Sequence, residues 1–333
     1  MQECIDIVIL WVDGNDPKWI EEKNKYLPLE EQDGRTNRYR DWGTLKYLFR
    51  GIEKYASWVN KVFLITCGHY PKWLNMKYEK LRLVRHDEFI PKECLPTFSS
   101  RAIDLNLHRI KELSEKFIYF NDDMFLTNYV TPNDFFKKDL PRDWFIETPI
   151  FPGWGIFSHT MLNNMEIINK YYNRKDTIKR NLSKIINPVY GIRMFYNLLW
   201  VMMPYKKFCG LQNNHLPMAY KKSTWKTVWE KEPEILNKTI HNKFRTITDV
   251  NQFLFNYWSL YNGEFYPTNM NKQGRLFVIQ SLQNENLITA IIKNKYKRIC
   301  INDECTDEVF KGAKEQLISA FETILSEKSM FEI

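Results

Sequence analysis

Residues 117 to 123, Phe-Ile-Tyr-Phe-Asn-Asp-Asp, form an apolar run of strand length that stops on an amide and two adjacent carboxylates. Buried parallel strands read as such runs, and ligands of open α/β sheets collect at their carboxyl ends. Far downstream, Ile301-Asn302-Asp303 ends a second apolar stretch in the same way. Asp122, Asp123, Asn302 and Asp303 would together offer hard oxygen donors to one divalent metal, Mg2+ or Mn2+ rather than zinc. A turn cap without chemistry is the competing reading of either end. Cys4, Cys67, Cys94, Cys209, Cys300 and Cys305 are scattered without a C-x-x-C pair, which argues against a zinc site and fits free thiols in a reducing compartment.

The elements that must carry these ends follow from spacing. Ile5 to Val12 reads as a first strand closed by the turn cluster Asp13-Gly14-Asn15-Asp16-Pro17. Leu45, Leu48, Phe49 and Ile52 recur at helical spacing between Asp41 and Tyr55, with Asp41 or Thr44 available as N-cap. Val62 to Thr66 and Leu81 to Val84 are short strands, and Ala102 to Leu113 a helix that feeds the Phe117 to Phe120 strand. On that helix Asp104 and His108 stand four residues apart and share one face. The pattern predicts an α/β fold, Rossmann-like and doubly wound, with a mostly parallel sheet. After Pro152 the chain reads as mainly helical until Leu276 to Gln280. Arg298 to Ile301 is a last strand that returns to the sheet, and Asp307 to Leu325 a helix with Val309, Ala313, Leu317, Ala320 and Phe321 on one face. The expected organisation is therefore an α/β nucleotide-sugar-binding part over 1–150, a mainly helical basic segment over 151–275 that contributes to the active site, and returning strands with a C-terminal helix over 276–333.

Composition narrows the partners. With 333 residues, 44% of them hydrophobic, a large core is available. The start Met1-Gln2-Glu3-Cys4-Ile5-Asp6 lacks a basic n-region, and Asp6 interrupts the apolar run, so a secretory signal is not expected and the cytoplasm is. Met194 to Pro204, the longest apolar stretch, is too short to span a bilayer and reads as a core helix, with an interfacial membrane patch as the alternative. Net charge is +8, and residues 161–250 hold 16 Lys and Arg against 6 Asp and Glu, a local surplus of ten positive charges. An anionic partner is implied. No nucleic-acid motif interleaves these charges, so a nucleotide, a phosphorylated glycan or an anionic membrane fits better than nucleic acid.

Four blocks add up to a family likeness: Trp11 to Asp16, Arg40 to Asp123, His215 to Arg245, and Cys300 to Asp303. The second is the most extensive, with Arg50-Gly51-Ile52-Glu53-Lys54-Tyr55-Ala56, Pro71-Lys72-Trp73-Leu74-Asn75, Leu95-Pro96-Thr97-Phe98-Ser99-Ser100 and Leu113 to Tyr119 before Asn121-Asp122-Asp123. In order and extent these resemble the Stealth family, which is similar to bacterial capsular polysaccharide phosphotransferases and to the animal N-acetylglucosamine-1-phosphotransferase. The resemblance implies transfer of a hexose 1-phosphate or N-acetylhexosamine 1-phosphate from a UDP-sugar to a glycan hydroxyl, with release of UMP, in capsule or cell-surface polysaccharide synthesis.

Such chemistry needs screening of two phosphates, stabilisation of charge on the equatorial oxygens, and removal of the acceptor's proton. The resemblance casts Asp122 and Asp123 as general base or metal ligands, His215 as phosphate contact or proton shuttle, and Arg245 as a β-phosphate clamp. It places Asp13, Gly14, Asp16, Arg40 and Asp41 at the nucleotide-sugar and Asp104 with His108 at the sugar or acceptor. The partners implied are a UDP-sugar donor and a growing polysaccharide or lipid-linked glycan acceptor, reached from the cytoplasm with peripheral contact at the inner, anionic face of the membrane. Asp104 stands where relatives tend to have Glu, Asn106 departs from a His or Ser region, and Trp42-Gly43-Thr44 from Asn and Glu, which bears on specificity. A glycosyltransferase that moves the sugar alone and releases UDP, and a non-catalytic glycan- or nucleotide-binding module, remain as alternatives.

Overall fold

The computed structural model describes residues 4–26, 39–151, 153 and 155–333. Met1 to Glu3, part of the segment read for a signal, lie outside them. Among the described residues the strands are β1 (Ile5–Leu10), β2 (Val62–Thr66), β3 (Leu81–Arg85), β4 (Lys116–Asn121), β5 (Met124–Leu126), β6 (Phe136–Lys137), β7 (Leu140–Asp143), β8 (Met218–Lys221), β9 (Tyr266–Pro267), β10 (Gly274–Ile279) and β11 (Arg298–Asp303). A central sheet runs β3-β2-β1-β4-β8, the first four parallel and β8 antiparallel to β4. The chain steps outward from β1 to β3 and then crosses back to lay β4 on the free side of β1, so strand order reverses between β1 and β4. That crevice is where open α/β sheets bind ligands. Register is matched from Ile5↔Lys116 to Leu10↔Asn121, and Asp13 and Asp122 therefore emerge from the same edge.

The two-residue period of the strands sorts the core into two layers. Val8, Leu10, Phe63, Ile65, Phe117 and Tyr119 face helices of the basic segment, whose Met161, Met165, Ile168, Trp225, Phe255 and Tyr261 share one cluster with them. Ile5, Ile7, Ile9, Val62, Leu64, Ile118 and Phe120 face the Leu45–Tyr55 and Asp307–Ile324 helices on the other side. Asp6, which breaks the apolar run of β1, is fully buried. Its carboxylate accepts from Asn60 Nδ2 and from the backbone N–H groups of Lys61 and Ser114, fixing two loops at the amino edge.

Four expectations need correction. The last strand does not rejoin the central sheet: the open side of β4 is taken by β8, and β11 instead pairs with β10 and, antiparallel, with β5 in a second sheet. β8 itself, four residues inside the segment read as helical, is too short to show a period. The expected Ala102–Leu113 helix is only Ser100–Asp104 followed by a 3-10 turn at Leu107–Arg109. Trp225 and Trp229 donate their indole N–H groups to the carbonyls of Asp104 and Leu105, and Asn106 Nδ2 donates to the Ala102 carbonyl, so acceptors that a continuing helix needs are already engaged. Asp104 and His108 thus sit on different elements. Finally, the Arg193–Met202 helix is not a core helix: Met194 and Val201 pack partly against the core, but Phe195, Tyr196, Leu198, Leu199 and Met202 face outward and the polar Asn197 is its fully buried residue.

The Arg50-Gly51 pair of the second block has a packing explanation. A Cβ on Gly51 would lie 2.8 Å from the Leu126 carbonyl oxygen, so glycine lets this helix rest on β5. Arg50 is buried and pairs through Nε and Nη2 with both oxygens of Glu332, at 2.8 and 2.9 Å, while Nη1 donates to the Leu325 carbonyl. Removing one partner of a buried pair strands the other charge. Arg50→Ala is expected to lower stability by about 3–5 kcal/mol, measured by urea unfolding, with the C-terminal residues becoming accessible to carboxypeptidase.

Candidate active site

At the carboxyl edge of β4 the chain turns through Asp122 and Asp123 into β5, and the Ile301 N–H of β11 donates to the Asp123 carbonyl. On the other side, the antiparallel pairing of Tyr119 with Met218 brings the residues just before β8 alongside those just after β4. His215 therefore meets Asp123, with Nε2 3.3 Å from Oδ2. Burial alone would lower the His215 pKa, but the charge of Asp123 and its hydrogen bond outweigh this and hold it above the ordinary histidine value. The second oxygen, Asp123 Oδ1, is buried without a conventional hydrogen-bond partner. Cys300 of β11 stands against the same carboxylate, and burial together with the Asp123 charge holds its thiol well above the ordinary range.

Asp122, whose side chain still reaches solvent, is pushed up to about 7 by the desolvation of the crowded sheet edge and by the charges of Asp123 and Asp41. Asp41 is held by its neighbours, its Oδ1 accepting from the Gly43 N–H and its carbonyl from Lys314 Nζ. Three carboxylates crowded at one sheet edge, one of them with an orphaned oxygen, are a donor set that a hard divalent cation relieves. Asp123, His215 and Cys300 place one ligand atom each within 4.8 Å of one another. The Cys300 thiol, kept protonated, is a weak hydrogen-bond donor to Asp123 rather than a ligand of a hard ion.

A second network lies beside the first. Tyr119 Oη is 2.8 Å from Asp104 Oδ1 and 2.6 Å from Asn121 Oδ1. One hydroxyl hydrogen cannot serve both acceptors. Burial raises the Asp104 pKa to about 7, against the opposing effects of Tyr119, Arg245, Arg101 and His215. With Asp104 neutral, its own O–H donates to Tyr119 and the tyrosine hydrogen goes to Asn121. Arg245 Nη2 donates to Ser100 Oγ at 2.8 Å, on the short helix that carries Asp104. The adjoining loop is pinned by the buried Arg101–Asp249 ion pair at 2.9 Å. Asp104, Asp122, Asp123, His215 and Arg245 are thus gathered at one edge.

Other expected site residues are placed differently. Asp303 accepts from Trp42 Nε1 and lies 3.4 Å from Arg40, which also holds Asp307 at 2.7 Å, and Asn302 donates to Glu304. Asp303 thus pairs with Arg40, which is next in sequence to Asp41, whose charge acts on Asp122. At the β1 end Asp16 accepts from the Trp19 N–H and caps the Pro17–Lys25 helix. The Asp13 N–H donates to His69 Nε2 at 2.8 Å. A Cβ on Gly14 would sit 1.7 Å from the Tyr39 carbonyl oxygen, so the close backbone approach that glycine permits is that of Tyr39. His108 lies apart, its ring against Trp229 and its pKa lowered to about 4, chiefly by burial.

His69, Tyr119 and Cys300 were not singled out by sequence reasoning. The Cys67-Gly68-His69 turn does follow β2, at the same carboxyl edge as Asp13, which is the signal that could have found His69.

Family models described as Stealth protein conserved region 1 and conserved region 2 match residues 4–29 and 38–143. The capsular polysaccharide phosphotransferase WcwK of Streptococcus pneumoniae is 41% identical over 99% of this chain and 98% of its own. The chain belongs to the Stealth family. The receptor polysaccharide phosphotransferase WefC of Streptococcus oralis is 39% identical over 99% of both chains. The exopolysaccharide phosphotransferase cps2G of Lactiplantibacillus plantarum is 37% identical over 98% of this chain and 96% of its own. As a Stealth protein, the chain is an enzyme, a phosphotransferase.

The Asp104 network gives a pH test. Between the ordinary carboxylate value of 3.8 and about 7, the folded chain holds a proton on Asp104 that the unfolded chain has released. Stability therefore falls as pH rises through that window and levels off above it. Asp104→Asn keeps the hydrogen bonds without the charge. It is expected to flatten this slope, gaining up to about 4 kcal/mol relative to the parent between about pH 4 and pH 8, as read by urea unfolding across that range.

Proposed function

We propose that this Stealth phosphotransferase moves a hexose 1-phosphate or N-acetylhexosamine 1-phosphate from a UDP-sugar to a glycan hydroxyl in capsule or cell-surface polysaccharide synthesis. The observation that carries the reading is the Asp123–His215 pair, beside Asp104, raised by burial, and Arg245, at the β1/β4 crevice. The acceptor oxygen attacks the β-phosphorus; an O–P bond forms, the bond from that phosphorus to the bridging oxygen breaks, and UMP leaves with the electron pair. His215 takes the acceptor's proton, and the Asp123 carboxylate stabilises the imidazolium that results, which is what its raised pKa expresses. Arg245, a planar donor fork, neutralises charge on the equatorial oxygens. Asp13, Asp16 and the Arg40–Asp41 segment line the edge where the nucleotide enters.

Mg2+ or Mn2+ would be held by Asp122 and Asp123 with Asp41 beside them, and would screen the pyrophosphate charge. No helix among the described residues is long and apolar enough to cross a membrane. We place the enzyme on the cytoplasmic side, with a growing polysaccharide or lipid-linked glycan as acceptor and peripheral contact with the anionic inner face of the membrane.

The test is the nucleotide released from a panel of UDP-sugars with Mg2+ or Mn2+ and a capsule-type oligosaccharide. UMP with a new phosphodiester is expected, and UDP would move the protein to plain glycosyl transfer. His215→Ala and Asp123→Ala are expected to lower kcat by about 10²–10⁴-fold with unchanged circular dichroism. Full activity in a folded Asp123→Ala variant would refute the assignment.

A further inference from the structure

We propose that the outward face of the Arg193–Met202 helix is a docking surface for an anionic lipid bilayer. The helix is amphipathic in the inverted sense. Asn197, its buried residue, donates to the carbonyls of Phe145 and Ile185 and accepts from the Glu147 N–H. Arg174, buried and paired with Glu147, donates to the Trp200 carbonyl at the helix end. These polar anchors hold one side of the helix to the protein. The opposite side presents Phe195, Tyr196, Leu199 and Met202, which are 55, 54, 58 and 73% exposed, with Leu198 between them and Ile192, Met203 and Tyr205 exposed at its ends.

Scattered apolar side chains on a surface are ordinary, but one contiguous helical face of them marks an interaction site. The charge around it selects the partner. From residue 170 to 207 the chain carries nine Lys and Arg against the single acid Asp176; Arg174 is taken up by Glu147 and Lys170 by Glu232, while Lys206 and Lys207, just beyond the helix, are both exposed. A second copy docking face to face would oppose these like charges across the two-fold axis. An anionic bilayer attracts them while its acyl boundary accepts the apolar face, with Tyr196 and Tyr205 suited to the headgroup level. Arg193 reaches back to Gln212 Oε1, three residues before His215, so the docked face adjoins the catalytic edge. The surface is read from geometry and charge alone; only its use, delivery of a lipid-linked acceptor, rests on the function proposed above.

The experiment is sedimentation of the full chain with vesicles of phosphatidylcholine alone or mixed with phosphatidylglycerol, in the absence of substrate. Co-sedimentation with the mixed vesicles is expected, weakened by salt and weak on phosphatidylcholine alone. The Phe195→Ser/Leu199→Ser variant should bind about tenfold or more weakly, and Lys206→Glu/Lys207→Glu should lose the preference for phosphatidylglycerol. Both variants should keep the parent's thermal transition and its activity on a soluble acceptor. Because binding is read without turnover, failure of sugar-phosphate transfer leaves this result standing, and failure to bind leaves transfer standing. The proposal is overturned if the parent ignores phosphatidylglycerol vesicles, if the serine variant binds them equally, or if the parent is a dimer that this variant dissociates, which would make a second copy the occupant.

Discussion

The parallel pairing of β1 with β4 is the constraint on which the site depends. Because the two strands end together at Leu10 and Asn121, their loops share one edge, and because strand order reverses between them, that edge opens as a crevice. Everything that makes the edge chemical is added by later chain. β8 pairs antiparallel with β4 and brings His215 to Asp123, β11 pairs with β5 and brings Cys300 to the same carboxylate, and the loop pinned by Asp249 brings Arg245 to the helix of Asp104. A one-residue slip of β8 would turn Met218 and Tyr220 to the other face and carry the loop before it away from Asp123.

The first half of the fold is legible in the sequence because buried parallel strands are continuous apolar runs. Val62–Thr66 is recovered with its bounds, and β1 and the Asp307–Ile324 helix to within two residues. Legibility fails where distant groups decide local structure. Nothing near Asn106 announces that two indoles from the Lys222–Lys231 helix take the carbonyls a longer helix would have used, so the shared face of Asp104 and His108 was an artefact of assumed periodicity. Nor does a strand ending on an amide and a carboxylate announce that its Asp303 meets an arginine and an indole from the segment before the Leu45–Tyr55 helix.

Asp122–Asp123 was readable because a strand end fixes where such residues go. His215, 92 positions from Asp123, is named by the family likeness, but its contact with Asp123 is not legible in the sequence, since no local pattern encodes a contact across an antiparallel edge. The pKa directions could not be read at all. They depend on surroundings that only the folded chain supplies: burial holds Asp104 up, desolvation with the charges of Asp123 and Asp41 holds Asp122 up, and the Asp123 charge holds His215 up against its own burial, while His69, near the carboxylates of Asp16 and Asp13, is held below by desolvation.

The Arg193–Met202 helix shows the limit of hydrophobicity as a guide to burial. Hydrophobicity alone would turn its apolar face inward; in the structure the orientation is set by Asn197 and by Arg174, nineteen positions before the helix begins. A buried amide that found no partners would make this orientation unstable, and the carbonyls of Phe145 and Ile185 together with the Glu147 N–H remove that penalty. What remains unfavourable is an apolar face in water, a penalty the protein could avoid by turning the helix over only at the expense of burying Asn197's contacts' unpaired backbone groups. A fold that anchors a helix by its polar side and leaves its apolar side outward is consistent with a surface whose working environment is not water alone.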